Sequence, residues 1–380
     1  MSKTKILTIY TEWATNEWRK ANNAYGGVGY YRVVKPAQYY SKYYQVDVAG
    51  DLSMFGKTDV ERWQNIFKRY DIVYPRHCDN SHAMSAMLAF GSYYEKKVIM
   101  DLDDNYLAIK KDNPAYEVYK QGSEKMISTS VGIELCDAIT VSTEPLKKAY
   151  SKLNKNIFVL PNCNDYRDWL GKNKKWNDGK IRLGYSGSIT HDSDMAIVLP
   201  VIKELLAKYP TLQFEVLGAV KDKTSFLKNF EGFEDRIKIL YGTQGWEGYP
   251  QIMKNTGWDI GIAPLVDDKF TICKSHIKWM EYAMCDIPCV ASKTYPYYKE
   301  IQGINTIIDG QTGLLADSEK EWKEKLSSLI ESETLRKNIC INAQNYIKNN
   351  WQWESQADKW RDAFEAILKL PKNPKAQIPK

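Results

Sequence analysis

The segment from Lys274 to Ala291 carries the densest set of side chains that could do chemistry in this sequence of 380 residues. If the segment opens as a helix, Lys274, Lys278 and Glu281 share one helix face. Two ammonium groups at a helix start can neutralise a diphosphate, and a carboxylate one turn later can accept hydrogen bonds from two vicinal ribose hydroxyls. A surface ion pair between Lys278 and Glu281 would explain the same spacing, so both interpretations stay open.

A second candidate is the cluster of three carboxylates in Asp101-Leu-Asp-Asp104, which closes a predicted strand. Carboxylates this close repel one another and are costly to bury, so a divalent cation, a neighbouring Lys or Arg, or a ligand with several hydroxyls would explain them. A solvated strand end would explain them too. We take Asp103 and Asp104 as candidate catalytic residues, together with Lys274 and Lys278.

A glycine-rich stretch, Gly26-Gly-Val-Gly-Tyr-Tyr-Arg32, follows the first predicted strand. Closely spaced glycines let a backbone approach a ligand, so Gly26, Gly27 and Arg32 are candidates for a loop that contacts a phosphate or an acceptor. The stretch lies farther from Tyr10 than a dinucleotide-binding fingerprint allows. An ordinary turn is the alternative.

A loop of small residues, Gly184-Tyr-Ser-Gly-Ser-Ile-Thr-His191, follows the first predicted strand of the second half. Gly187 and Ser188 suit close contact with a ligand, and the Ser188 hydroxyl can donate a hydrogen bond. His191 could donate to a phosphate oxygen. The alternative is a capped helix start with a histidine that faces solvent.

The pattern of the whole chain predicts the scaffold that positions these loops. Short runs of β-branched and aromatic residues alternate with helical periodicity, which indicates an α/β protein with parallel sheets. The predicted strands of the first half are 5–10, 45–49, 71–75, 97–101, 138–142 and 157–160. After a polar stretch at 171–179, the predicted strands are 181–185, 213–217, 237–240, 260–263, 288–291 and 306–308. Ligands of open parallel sheets bind beyond the carboxyl ends of the strands, which is where the candidate loops fall.

This repetition predicts two α/β domains, at residues 1–165 and 166–350, with a linker around 161–180. An amphipathic helix at 351–370 carries an apolar stripe that needs a surface to cover. Residues 371–380 lack periodicity and are expected to form a flexible tail.

Composition and charge exclude several classes of protein. The chain is 43% apolar, and its 53 basic and 47 acidic residues give a net charge of +6, which lacks the clustered basic face of a dedicated nucleic-acid binder. No apolar run approaches the roughly 20 residues that span a bilayer. The N-terminus lacks signal-peptide features, so a cytoplasmic location is expected. Seven cysteines without Cys-x-x-Cys spacing predict reduced, mostly buried thiols.

Several stretches, in the right order along nearly the whole chain, resemble the GT-B fold glycosyltransferases, particularly retaining family 4. The most specific is Glu281–Ser292, which resembles the signature helix and strand of that family. The others are Gly26-Gly-Val and the segments 141–146, 159–162, 259–265 and 309–315.

The resemblance implies two Rossmann-like, doubly wound domains that face a cleft, with a C-terminal helix that crosses back to the N-terminal domain. The C-terminal domain would hold a nucleoside-diphosphate sugar and the N-terminal domain the acceptor. It implies transfer of a hexosyl or pentosyl group to an acceptor hydroxyl with retention of configuration. Such enzymes hold the diphosphate with protein groups, so no cofactor is expected to be required and a divalent metal is not needed.

The donor-binding residues are assigned from the same resemblance. Glu281 matches the second glutamate of the family's paired-glutamate motif, expected on the donor ribose, whereas the first glutamate would fall at Cys273 and is absent. Lys274-Ser275 resembles a subgroup in which a Lys-Ser pair begins this helix, which makes Ser275 a donor-binding candidate.

The phosphate-binding residues depart from the family pattern. Gly187 and Ser188 match the loop that faces the diphosphate, but the usual Arg and Lys pair after that strand is missing. His191, Lys274 and Lys278 are the candidates to replace its charge. The work required of them is electrostatic stabilisation of a departing diphosphate.

In the N-terminal domain, Asp103 occupies the place of a histidine that contacts the transferred sugar in many relatives. Asp103 or Asp104 could orient sugar hydroxyls or support the positive centre.

The acceptor stays open between a glycan, a lipid-linked glycan and modified DNA. For a transferase that acts on hydroxylated DNA bases, Arg19, Lys20, Arg32 and Lys35 would track phosphates. A non-catalytic nucleotide-sugar-binding protein is the alternative that the missing glutamate at position 273 motivates.

Overall fold

The computed structural model describes residues 3–10, 25–188, 192–218, 220, 222–242 and 245–376. In the first half, six parallel strands form one sheet in the order β2-β1-β3-β4-β5-β6. These strands are Lys5–Tyr10, Gln45–Ala49, Ile72–Arg76, Lys97–Leu102, Ala138–Val141 and Ile157–Val159. Every residue of β3 and β4 is buried, as expected for a parallel sheet with helices on both faces.

The second half repeats this arrangement with six parallel strands in the order β12-β11-β10-β7-β8-β9. Strands β7 to β12 are Ile181–Gly187, Leu212–Gly218, Ile237–Leu240, Ile260–Ala263, Cys289–Ser292 and Leu314–Ala316. The strand order reverses between β1 and β3 in the first sheet and between β7 and β10 in the second. Such reversals open a crevice beyond the carboxyl ends of the strands.

Helices cover both sheets and connect the parallel strands. In the first half they are α1 (Gly27–Gly29), a π-helical turn (Tyr30–Val34), α2 (Lys35–Tyr40), α3 (Asp59–Arg69), α4 (Ser81–Tyr93), α5 (Tyr116–Tyr119), α6 (Glu124–Leu135) and α7 (Glu144–Tyr150). In the second half they are α8 (Asp192–Ala196), α9 (Leu199–Lys208), α10 (Lys223–Lys228), α11 (Tyr249–Thr256), α12 (Ile277–Met284), α13 (Tyr295–Tyr298), α14 (Glu319–Glu331), α15 (Glu333–Asn350) and α16 (Trp353–Lys369). Short 3-10 turns lie at Ser53–Phe55, Tyr166–Trp169, Glu234–Arg236, Thr271–Cys273 and Pro374–Ala376.

The last long helix, α16, packs on the first sheet, which confirms the predicted crossing back. Trp353, Trp360 and Phe364 belong to the same buried cluster as Tyr40 of α2 and Tyr74 of β3. The ring of Tyr40 stacks on Trp360 with centroids 5.7 Å apart. The apolar stripe seen in the sequence therefore covers the N-terminal domain.

Two predictions about the second half of the chain are wrong. The segment 306–308 is not a strand, and the sixth strand of the second sheet is β12. Residues 371–376 are not a free tail, because Lys372 forms an ion pair of 2.6 Å with buried Asp137 and the Asn373 amide donates to the carbonyls of Glu134 and Cys136. The rest of the predicted tail, 377–380, lies outside the described residues.

All seven cysteines are free and buried, as predicted. Among the helices that the structure describes, none combines the length and apolar character needed to cross a membrane.

Candidate functional site

The two domains contact each other through loops that follow the strands of their sheets. The loop before α12 contacts the loop after β4: Lys274 and Asp104 form an ion pair of 2.5 Å, and the Asn105 amide donates to the carbonyl of Lys269 over 3.0 Å. The Thr143 hydroxyl donates to the carbonyl of Cys273 over 2.9 Å. We call this region the interdomain site and define it by Asp103, Asp104, Ser186, Lys274, Ser275, Lys278 and Glu281.

Each carboxylate of the cluster at the end of β4 has its own basic partner. Asp101 is fully buried and forms an ion pair with Arg32, Asp103 with Arg76, and Asp104 with Lys274. The sequence analysis named neighbouring Lys and Arg side chains as one explanation for these carboxylates, and the structure shows such neighbours. Within the described part of the chain, no group of three or more His, Cys, Asp or Glu side chains is arranged to hold a metal ion.

Lys274 and Ser275 precede α12, so the prediction that Lys274 belongs to the helix is wrong. Lys274 has an extended backbone after the turn Thr271–Cys273, and the helix begins at Ile277. The hydroxyl of Ser275 accepts a hydrogen bond of 2.9 Å from the Asn162 amide. Both residues thus reach from the second domain to the first.

Lys278 lies in the first turn of α12 and points to the carboxyl end of β7. Its ammonium group donates to the carbonyl oxygen of Ser186 and lies 4.7 Å from the centre of the Tyr185 ring. Burial lowers its pKa, while the charge of Glu281 opposes this effect. Lys278 forms no ion pair with any carboxylate of the described residues. Its positive charge is thus solvated mainly by dipoles, which leaves it able to bind an anion.

Glu281 lies one turn further along α12 and is 7% exposed. Its two carboxylate oxygens accept hydrogen bonds of 3.0 Å from the hydroxyls of Tyr31 and Tyr249, which come from different domains. A carboxylate has about four acceptor positions, so two remain for a ligand. No sequence pattern indicates Tyr249, whereas Tyr31 lies inside the glycine-rich stretch, directly before Arg32.

Burial raises the pKa of Glu281 to about 7, although the Lys278 charge and the two tyrosine hydroxyls act against this rise. An acid whose pKa is raised by folding stabilises the folded state, and this stabilisation is complete at pH values below its ordinary pKa of 4.5. That contribution is lost as the pH rises through about 7.

We expect the free energy of unfolding of the wild-type protein to fall, relative to that of a Glu281→Gln variant, by up to about 3 kcal/mol between about pH 5 and about pH 8. Glutamine cannot titrate, which makes it the reference. Urea unfolding at both pH values measures the difference. A constant difference between the two proteins would show that Glu281 titrates normally in the folded state.

The end of β7 supplies the predicted small residues. Gly187 is the last residue of β7, and a Cβ atom there would collide with the hydroxyl of Tyr185. The Ser186 hydroxyl and the Tyr249 hydroxyl are 2.9 Å apart. Ser188 follows with an exposed side chain, whereas His191 lies outside the described residues.

The glycine-rich stretch forms the start of a helical segment rather than a loop. Gly26 is the N-cap of α1, and a Cβ atom on Gly27 would meet nothing within 4 Å, so packing within the protein does not require glycine there. The following π-helical turn directs Tyr30 to the second domain, where its ring stacks on Trp246 with centroids 3.9 Å apart.

Arg32 does not face the interdomain site. It is 1% exposed, and its guanidinium group binds Asp101, the Leu160 carbonyl and the Asn162 amide oxygen. Lys35 is also buried, in ion pairs with Asp165 and Asp168. The expectation that Arg32 contacts a phosphate or an acceptor therefore finds no support in this geometry.

Comparison with known proteins gives a match for the second domain. Residues 170–346, just under half of the chain, match the family model described as glycosyl transferases group 1. An uncharacterized glycosyltransferase of Methanocaldococcus jannaschii is 32% identical over 88 residues, which are 23% of this chain and 21% of that protein. The chain thus aligns with only about a fifth of that relative's length.

Solved structures match over a larger part of the chain. A glycosyltransferase from Rickettsia africae covers 97% of this chain and 100% of its own, with 12% identity and a TM-score of 0.62. A variant of S. aureus TarM, solved in complex with UDP among other ligands, covers 77% of this chain and 55% of its own, with 14% identity and a TM-score of 0.57. These likenesses, with the two parallel sheets, show a GT-B fold of two Rossmann-like domains.

Proposed function

We propose that the protein transfers a sugar from a nucleoside-diphosphate sugar to an acceptor hydroxyl, with retention of configuration. The observation that carries this proposal is the position of the Lys278 ammonium, which forms no ion pair with the described residues, one helical turn from the Glu281 carboxylate. Both side chains lie at the end of β7, beside the strand reversal of the second sheet. An ammonium group beside a carboxylate is the donor and acceptor set that a diphosphate joined to a ribose requires.

In this proposal the two lysines share the stabilisation of the leaving diphosphate. Lys278 supplies an ammonium group without an ion-pair partner among the described residues, whereas the charge of Lys274 is partly compensated by Asp104. Gly187, Ser188 and His191 would complete the phosphate-binding loop at the end of β7. Preorganised charges of this kind lower the barrier because they need no reorganisation as negative charge develops.

The sugar ring would lie next to the carboxylates after β4. Asp103 and Asp104 are held by Arg76 and Lys274, which fixes carboxylate groups that can accept hydrogen bonds from sugar hydroxyls. In transfer with retention, the acceptor oxygen bonds to the anomeric carbon on the face from which the diphosphate leaves, and the acceptor proton passes to the departing phosphate oxygen. The closed contact between the domains would exclude water that could otherwise take the acceptor's place.

The experiment is a screen of nucleotide sugars for release of free nucleoside diphosphate, beginning with UDP-sugars because a structural neighbour was solved with UDP. We expect a Lys278→Met variant to lose about a hundredfold in the rate of release, which is typical of removing one group that stabilises a transition-state anion. Lys320→Met is the matched control, because Lys320 is a highly exposed residue on α14. Equal rates in wild type and Lys278→Met would exclude this role of Lys278.

Two other functions predict different results. For DNA as acceptor, Arg32 and Lys35 are in buried ion pairs, and Arg19 and Lys20 lie outside the described residues. The structure thus offers no support for contacts of Arg32 and Lys35 with DNA phosphates. A binding protein without catalysis is favoured by Cys273, a buried thiol where the family has a glutamate. Binding of a nucleotide sugar without turnover, across the whole panel, would identify that function.

A further inference from the structure

The first domain contains a cavity of about 570 Å³ that the interdomain site does not use. It opens beyond the carboxyl ends of β1 and β3, with Ile9 and Pro75 on its wall. This is the strand reversal of the first sheet, the place where open α/β sheets bind ligands. We call it the N-terminal pocket.

The walls of the N-terminal pocket are predominantly apolar. Leu52, Trp63, Ala83 and Met87 line it, and all four contribute to the hydrophobic cluster of the first domain. A cavity of this size and lining accommodates a small organic ligand rather than single waters. An extended hydrophilic chain would leave hydroxyls without partners against these walls.

Three charged side chains of the described residues lie at one side of the pocket. Asp79 and Lys125 form an ion pair of 2.8 Å, and Glu124, which is exposed, accepts a hydrogen bond of 2.9 Å from the Ser81 hydroxyl. Lys125 is thus the cation of the described lining, and its charge is already compensated by Asp79. A phosphate group finds no unpaired cation among these lining residues.

The pocket is linked to the interdomain site through a short set of contacts. Asp79 accepts a hydrogen bond of 2.6 Å from the Tyr119 hydroxyl, and the Tyr119 ring lies 5.1 Å from that of Tyr106. The Tyr106 hydroxyl accepts from Arg76, which also binds Asp103. A ligand in the pocket thus lies within a few side chains of the carboxylates assigned to the sugar.

We propose that the N-terminal pocket binds the apolar body of an uncharged acceptor, such as an alkyl or aryl glycoside, and so selects acceptors of this class. The assignment as acceptor rests on the proposed function, whereas the binding of apolar ligands does not. The apolar walls favour the apolar part of the acceptor, and the described lining offers no unpaired cation to a phosphorylated one.

The test compares the binding of hexyl glucoside and methyl glucoside by calorimetry. The added methylene groups favour the apolar walls, so we expect hexyl glucoside to bind about tenfold more tightly or better. An Ala83→Leu variant fills part of the pocket from α4, and leucine is nearly as good a helix former as alanine. We expect it to remove most of the preference. Ala89→Leu, the same change on the same helix but away from the pocket lining, should keep it.

The outcomes separate this inference from the proposed function. Equal affinity for both glucosides, or an undiminished preference in Ala83→Leu, would overturn the inference even if sugar transfer occurs. If duplex DNA competes with hexyl glucoside for binding, the occupant of the pocket is nucleic acid, and the inference is overturned as well. A retained preference in a protein that releases no nucleoside diphosphate from any donor would refute the proposed function alone. UDP affinity, measured in parallel, should be equal in wild type and Ala83→Leu.

Discussion

Replacing Glu281 by alanine is expected to weaken binding of UDP by about a hundredfold or more, which corresponds to the loss of about two hydrogen bonds to a charged group. The carboxylate is fixed in place by Tyr31 and Tyr249, so it needs no rearrangement to accept the two ribose hydroxyls. Calorimetry with UDP measures the effect directly, and it requires neither the sugar nor the acceptor. Release of nucleoside diphosphate from a nucleotide sugar should fall in parallel.

The controls for this prediction distinguish lost contacts from lost structure. Glu281→Gln keeps the size of the side chain and one acceptor oxygen, so its folding should be preserved and its UDP affinity should lie between those of wild type and Glu281→Ala. Glu324→Ala changes an exposed glutamate of α14 and should have no effect. If both Glu281 variants bind UDP as tightly as wild type does, the ribose assignment is incorrect, and the role of Glu281 is to join the domains through Tyr31.

The scaffold could be predicted from the sequence because the signal was local. Alternating apolar runs and helical periodicity located eleven of the twelve strands in the described part of the chain, and loops after strands must lie at the carboxyl edge of a parallel sheet. The exception is the segment 306–308, which has the β-branched composition of a strand. It lies between two isolated bridges, Ile301–Ile304 and Asp309–Gly313, and the pairing with β11 is made by Leu314–Ala316 instead.

The partners of the site residues could not be predicted, because they depend on contacts between distant segments. The three carboxylates at the end of β4 have basic partners from three different parts of the chain. The Glu281 carboxylate is held by a tyrosine 250 positions away. Cys273 illustrates the same limit: its thiol is packed in the hydrophobic cluster of the first domain, although it belongs to a loop of the second. Residue types indicated that charges were present, but only the folded chain shows which ones are compensated.

Replacing Arg32 by methionine is expected to reduce the free energy of unfolding by about 3 to 5 kcal/mol, the usual effect of removing one partner of a buried ion pair. Arg32 and Asp101 form a two-pronged contact of 2.9 and 2.5 Å, and the side chains of both are essentially without solvent exposure. Without the guanidinium group, the Asp101 carboxylate would keep the hydroxyls of Tyr74 and Thr140 as its partners among the described residues. Urea unfolding at neutral pH provides the measurement.

Variants at the same pair show whether the buried charge or the packing is responsible. Arg32→Lys keeps the charge but cannot reproduce the planar fork that also reaches the Leu160 carbonyl, so we expect it to be clearly destabilised as well. The double variant Arg32→Met with Asp101→Leu removes both charges and should recover much of the loss, since apolar pairs can replace buried ion pairs. Arg69→Met, which breaks an exposed ion pair with Asp47, should change the stability by about 1 kcal/mol at most. If Arg32→Met is as stable as Arg69→Met, Arg32 does not anchor the helical segment to β4, and a role for it in ligand binding would have to be reconsidered.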